Sequence, residues 1–142
     1  MLNTMKNRFF LLATGLSVLG FLLYRPMPVL AEPTPEDLRS AIRQYVGAEE
    51  QSKGFFSVVD PKTGTARKLK LERVHERVGK TGNYYYSCAD LKDVETGDLL
   101  DLDFDVSEAN SELKVADVRI HKDNGNPRYT YDANDNRVPV QS

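Results

Sequence analysis

The stretch GNYYYSCADLKDVETGDLLDLDFDV, residues 82–106, decides the fold. In its second half Leu100, Leu102, Phe104 and Val106 alternate with Asp101, Asp103 and Asp105. A period of two belongs to a β-strand, so the three carboxylates share one face and the apolar side chains the other. The first half, Tyr84 to Leu91, is strand-like as well, and Glu95-Thr96-Gly97 between them reads as a three-residue hairpin loop with a Gly bulge. Counting back across such a loop sets Cys88 near Phe104 and Tyr86 near Val106, which predicts a core face containing Tyr84, Tyr86 and Cys88. Tyr85, Ser87 and Ala89 then join the aspartates outside.

Working outward, the same punctuation recurs. Asp60-Pro61-Lys62-Thr63-Gly64 suits a type I turn, Gly79-Lys80-Thr81-Gly82 a four-residue loop, Ser107 to Ser111 a polar connection, and Asp123-Asn124-Gly125-Asn126 a hairpin. These turns predict strands near 54–60, 65–78, 83–94, 98–106, 112–122 and 128–131, joined as an antiparallel meander. In the second strand the apolar phase slips from Leu69 and Leu71 to Val74 and Val78, which implies a bulge near Glu72 and Arg73. The fifth slips likewise, from Leu113 and Val115 to Val118 and Ile120. Bulges at matched places bend a sheet. Before it, Thr34 is a suitable N-cap with Pro35 at the first helical position, and Leu38, Ile42, Tyr45 and Val46 recur at helical spacing, so an amphipathic helix is predicted over about 35–50. The expected fold is α+β, one N-terminal helix packed on a curved antiparallel meander of five to six strands, with a polar tail over 132–142. The inward set is Leu69, Leu71, Val74, Val78, Tyr86, Cys88, Leu102, Phe104, Val118 and Ile120.

Over residues 35–122 this element order resembles the cystatin-like architecture. The resemblance implies a helix held against a curved sheet, but it does not extend to the protease-binding motif of cystatins. Gln44-Tyr45-Val46-Gly47 is one residue short of Gln-x-Val-x-Gly and falls inside the predicted helix.

Lys6 and Arg8 precede an apolar run from Phe9 to Tyr24, and Val29-Leu30-Ala31 follows before Glu32. That layout predicts a secretory signal over 1–31, cleaved after Ala31 and leaving one domain over 32–142, or an uncleaved anchor; either puts the body in the periplasm or outside the cell. Lys6, Arg8 and Arg25 are three of the nineteen basic side chains, so the remainder holds sixteen against twenty-one acids, a net charge of −5. An acidic body disfavours nucleic acid and anionic membrane surfaces as partners, leaving a protein or a small ligand. A single Cys excludes an intramolecular disulfide and a multi-Cys zinc site.

No residue pattern points to a catalytic, cofactor or metal assignment. Asp101, Asp103 and Asp105 stand roughly 7 Å apart in succession, a spacing open to a cation or to acid and base roles, with a solvated polar face as the plain reading. Asp132, Asn134 and Asn136 imitate the start of a calcium loop, but Arg137 replaces the Gly that such a loop requires, so a turn is expected there. His75 and His121, the only imidazoles, make a weak zinc signal. On the expected register Arg73 and Arg77 lean over Ser87 and Ala89 toward the carboxylates, and Arg119 meets Asp101. Arg73, Arg77, Tyr85, Asp101, Asp103, Asp105 and Arg119 therefore form the candidate interaction surface. The expectation is an exported, non-enzymatic binding or interaction module. A small enzyme of related cone-shaped architecture and a self-assembling structural subunit are the alternatives.

Overall fold

The computed structural model describes residues 31–140, so the proposed leader lies outside the described residues apart from Ala31. Helix α1 spans Pro35–Lys53. Thr34 and Asp37 form a reciprocal capping box at its start, and Gly54, with φ of 86°, closes its end by donating its N–H to the Glu50 carbonyl at 2.8 Å. The helix outruns its expected end because Gly47 faces open space and breaks no contact, while the true stop is the left-handed Gly54. Among the described residues no helix is long and apolar enough to cross a membrane.

Six strands follow, β1 Phe56–Val59, β2 Ala66–Thr81, β3 Tyr84–Asp93, β4 Leu99–Ala109, β5 Glu112–Asp123 and β6 Asn126–Pro127. They form one antiparallel sheet in chain order. The helix lies on one face of this sheet, so the α+β class and the meander hold. Leu38, Ile42 and Val46 of α1 close over Phe56, Leu69, Ala89, Leu91, Leu100, Leu102, Phe104, Val106 and Ile120. Phe104 packs against Phe56 with ring centroids 6.1 Å apart.

Three turns differ from expectation. The polar connection expected over Ser107 to Ser111 shrinks to Asn110-Ser111, because Ser107, Glu108 and Ala109 continue β4 opposite Lys114, Leu113 and Glu112. The other two differences reach the site. Between β2 and β3 the turn is the two-residue Gly82-Asn83, with Thr81 opposite Tyr84 and Val78 opposite Ser87, instead of the expected four-residue loop Gly79 to Gly82. Between β3 and β4 the turn includes Val94, because the Asp93 carboxylate accepts the N–H groups of Glu95 and Thr96 while the Asp93 N–H bonds Asp98 O at 2.8 Å. One more residue in the turn slides β3 by one against β4 and exchanges its faces. Phe104 is therefore opposite Ser87, not Cys88, and Val106 opposite Tyr85. Tyr85, Ser87, Ala89 and Leu91 face the helix. Tyr84, Tyr86, Cys88 and Asp90 face the other way, on the side of Asp101, Asp103 and Asp105. The inward placement of Tyr84, Tyr86 and Cys88 and the outward placement of Tyr85, Ser87 and Ala89 are thus corrected.

The expected bulges are present. Glu72 is extra on β2 between Leu71 and Arg73, and three residues, His75 to Arg77, stand against Cys88 alone between Val74 and Val78. On β5, Ala116 is extra between Val115 and Asp117, and His121 between Ile120 and Lys122. The sixth strand is corrected as well. Asn126–Pro127 completes the sheet after the tight Asn124-Gly125 turn, whereas Tyr129–Tyr131 leaves it as β7 and pairs with β8, Arg137–Pro139. The polar tail is thus half of a hairpin. Asp132 makes its turn by accepting from the N–H groups of Asn134 and Asn136, which is the turn role its sequence suggested. Arg128 anchors the start of this ribbon by a two-pronged bond to buried Asp60 at the β1–β2 turn, 2.6 and 2.7 Å long.

Candidate functional site

The face of the sheet opposite the helix should be wet, and most of its centre is not. The β7–β8 ribbon lies across it, and the period of two turns Tyr129 and Tyr131 down together onto the sheet. Tyr131 stacks on Tyr86 with centroids 4.9 Å apart and rings within 5° of parallel. Tyr129 stacks on His121 at 4.8 Å. Tyr86 reaches its position across Gly79, its partner in the ladder, where any Cβ would come within 2.3 Å of the Tyr86 ring.

Beneath the tyrosines sits Asp103, fully buried. Its Oδ2 accepts from the hydroxyls of Tyr129 at 2.6 Å and Tyr131 at 2.5 Å, and its Oδ1 accepts from the Cys88 thiol at 2.6 Å. Three donors on one carboxylate offset its removal from water. Burial, and then the neighbouring Asp103 charge, push the Cys88 thiol well above its ordinary range. The Tyr129 and Tyr131 hydroxyls rise for the same two reasons, burial first. All three groups therefore stay protonated donors at neutral pH. A thiol held in this way is a poor nucleophile.

His121 arrives here because it is the extra residue of the β5 bulge. Ile120 keeps its place in the core opposite Leu102, and His121 turns to the ribbon side between Arg119 and Lys122. Its Nε2 lies 3.1 Å from the Tyr129 carbonyl oxygen. A carbonyl only accepts, so Nε2 carries the proton and donates. Nδ1 points at two carboxylates, 3.6 Å from Asp103 Oδ1 and 3.8 Å from Asp101 Oδ2, too far to bond either, and has no hydrogen-bond partner. Asp101 Oδ1 is likewise buried without a partner, although Lys122 Nζ stands 3.1 Å from Oδ2. The exposures of Asp101 and His121 are 7% and 9%. Ligand-capable atoms of Cys88, Asp101, Asp103 and His121 all lie within 4.8 Å of one another. A second group, His75, Asp90 and Asp101, shares Asp101 with the first.

Around this centre runs a ring of ion pairs. Arg73 holds Asp90 at 2.6 Å, with His75 Nε2 at 3.0 Å from the same carboxylate. Burial works to raise the Asp90 pKa, but these two partners outweigh it and hold it below its ordinary value. Arg77 meets Asp135 of the ribbon turn at 2.9 Å. Arg119 joins Asp105 at 2.6 Å and also bonds Asp117. Burial acts to discharge the Arg119 guanidinium, but the bond to Asp105 dominates and raises its pKa.

Asp101, Asp103 and Asp105 share one face as their spacing requires, but ribbon and neighbours remove the first two from solvent. Arg73, Arg77 and Arg119 reach Asp90, Asp135 and Asp105, respectively, and not the carboxylates expected for them. Tyr85 is on the helix side, half-buried against the core, with Lys80 Nζ 4.7 Å from its ring centroid. Sequence reasoning missed Cys88, His121, Tyr129 and Tyr131 as one constellation. The readable signal was Tyr129-x-Tyr131 followed by the Asp132-x-Asn134-x-Asn136 turn and Val138, a hairpin with one aromatic face. Comparisons with protein-family models, characterised proteins and solved structures returned no match, so the functional reading stands on geometry.

Proposed function

We propose that this chain is an exported, non-enzymatic binding module that holds a small cation between its sheet and the β7–β8 ribbon. The observation that carries the reading is the pair of desolvated carboxylates, Asp101 and Asp103, facing an imidazole nitrogen that no donor or acceptor satisfies. Desolvated negative charge with an unpartnered oxygen, Asp101 Oδ1, favours a positive guest. Turnover fits less well. A general acid or base must reach a substrate proton, whereas both oxygens of Asp103 are engaged and covered, and the Cys88 thiol is held protonated. Arg73 and Arg77 are the part of the expected interaction strip still open to a protein partner, but with Tyr85 turned to the helix they lack an aromatic anchor.

The export half of the reading rests on the basic, apolar and small-residue order of residues 1–31. The bulges at Glu72 and Ala116 support a bend in the sheet and, with the element order, a cystatin-like architecture. Melting of the purified protein in the presence of Zn²⁺, Ca²⁺, Mg²⁺ or a short diamine tests the binding half. At least one cation should raise the melting temperature of the wild type and fail to raise that of Asp103→Asn. A melting temperature indifferent to all four refutes the reading.

A further inference from the structure

The donor set narrows the guest, and this step rests on the cation reading above. We infer that Cys88, Asp101, Asp103 and His121 form a tetrahedral site for one divalent transition-metal ion of the zinc class. One sulfur, one imidazole nitrogen and two carboxylates converge from the three adjacent strands β3, β4 and β5. Calcium wants six to eight oxygens and magnesium a near-octahedral oxygen shell, which two aspartates under protonated tyrosines cannot supply. A thiolate and an imidazole select a borderline ion such as Zn²⁺ instead.

Spacing agrees with this choice. Tetrahedral bonds of about 2.0–2.3 Å place ligand atoms roughly 3.3–3.8 Å apart. His121 Nδ1 already stands 3.6 Å from Asp103 Oδ1 and 3.8 Å from Asp101 Oδ2. The thiol hydrogen of Cys88 lies between Sγ and Asp103 Oδ1, 2.6 Å apart, and a metal bond to the sulfur requires that contact to widen as the proton leaves. In forming the site the Cys88 S–H bond breaks, its proton passes to the buffer, and the sulfur electron pair forms the metal bond. His121 binds through its Nδ1 lone pair. No electron is transferred.

The outer contacts are those that metal ligands need. Donation from His121 Nε2 to the Tyr129 carbonyl fixes the tautomer that leaves Nδ1 free. The Tyr129 and Tyr131 hydroxyls hold Asp103 by Oδ2 alone, leaving Oδ1 to turn to the ion. Three anionic ligands around a dication leave one negative charge, which Lys122 beside Asp101 offsets. Four protein ligands close the coordination shell, the pattern of a holding site with no open position for substrate. In the neighbouring group Asp90 is already bonded by Arg73, and Asp101 is shared with the first, so we assign one ion and not two. The competing arrangement is the same four side chains held by their own hydrogen bonds and by Lys122, with no metal.

Titration of the mature, chelator-stripped protein with Zn²⁺ against a chromophoric zinc chelator, and with Co²⁺ by absorption, decides between them. The expected result is one ion per chain, and for Co²⁺ a tetrahedral d–d spectrum with a thiolate charge-transfer band. Tyr131→Phe should weaken Zn²⁺ by about 10–100-fold, as loss of an outer contact does. Cys88→Ser and His121→Gln, the latter still able to donate to Tyr129, should weaken it further, and Cys88→Ser should also abolish the charge-transfer band. Far-UV circular dichroism and a cooperative melt establish that each variant folds. Zinc affinity unchanged in both ligand variants overturns the inference, as does a wild-type cobalt spectrum without thiolate character, which needs no variant. Binding of Ca²⁺ or the diamine without Zn²⁺ overturns the zinc-class assignment and leaves the cation reading standing. Binding of no cation removes both.

Discussion

Removing the Tyr131 hydroxyl tests whether the ribbon sits on the sheet as described. Tyr131→Phe keeps the ring stacked 4.9 Å above Tyr86 and deletes one hydrogen bond of 2.5 Å to Asp103. A bond to a charged acceptor contributes about 1.5–3 kcal/mol. Tyr129 still donates to the same oxygen at 2.6 Å, so Asp103 Oδ2 is not stranded and the loss belongs at the lower end, about 1.5 kcal/mol. Tyr129→Phe alone should cost a similar amount. The double variant strands a buried carboxylate oxygen, so its loss should exceed the sum of the single losses by about 1–2 kcal/mol. Urea denaturation of chelator-treated protein, followed by tyrosine fluorescence and by circular dichroism, yields the cycle. Single losses under about 0.5 kcal/mol with strict additivity would refute the reasoning, because the ribbon would then not be bonded to Asp103 in solution.

Other consequences are as direct. Arg128 bonded to Asp60 lowers the pKa of that carboxylate to about 2, against burial that works to raise it. Unfolded Asp60 therefore takes up a proton first as the pH falls. Its contribution is complete above about pH 4 and disappears toward pH 2, costing about 1–2 kcal/mol; Asp60→Asn should flatten this acid limb, and a stability curve unchanged by the substitution contradicts the pair. Burial and Asp103 together raise the Cys88 pKa, so a thiol reagent should label it slowly at pH 8 and quickly in denaturant, and a native burst of labelling would contradict its placement. Gly79→Ala drives a methyl group into the Tyr86 ring, which should cost about 1–3 kcal/mol and change the near-ultraviolet tyrosine dichroism; an unaltered spectrum and melt would show that the rings do not meet there.

The sequence displays the elements of this fold more clearly than their register. Alternation alone set Leu100, Leu102, Phe104 and Val106 against the three aspartates, and Thr34-Pro35 with Leu38, Ile42 and Val46 marked the helix and its buried face. The phase slips at Glu72 and Ala116 are readable because a bulge must displace the apolar period. A turn length is not visible in that way. Whether Val94 belongs to the strand or the turn depends on one carboxylate, Asp93, bonding two backbone N–H groups, and that single residue exchanged the faces of Cys88 and Tyr85. The constellation was hidden for a second reason. His121 and Tyr129 are close in the chain, but Cys88 and Asp103 join them only when β3 has the right register and the ribbon turns back over the sheet.

Chain order gives that ribbon a further meaning. Tyr129 and Tyr131 are synthesised after every strand they cover, so the sheet from β1 to β5 can assemble while Asp103 still faces water. In that nascent species the carboxylate is hydrated and the Cys88 side of the sheet is open to any ion in reach. The carboxylate loses that water only where the ribbon lies over it, and the ribbon's start is held there by Arg128 on Asp60. A guest of that space would enter or leave only where the ribbon opens, so the Arg128–Asp60 bond at its start also bears on access to Asp103.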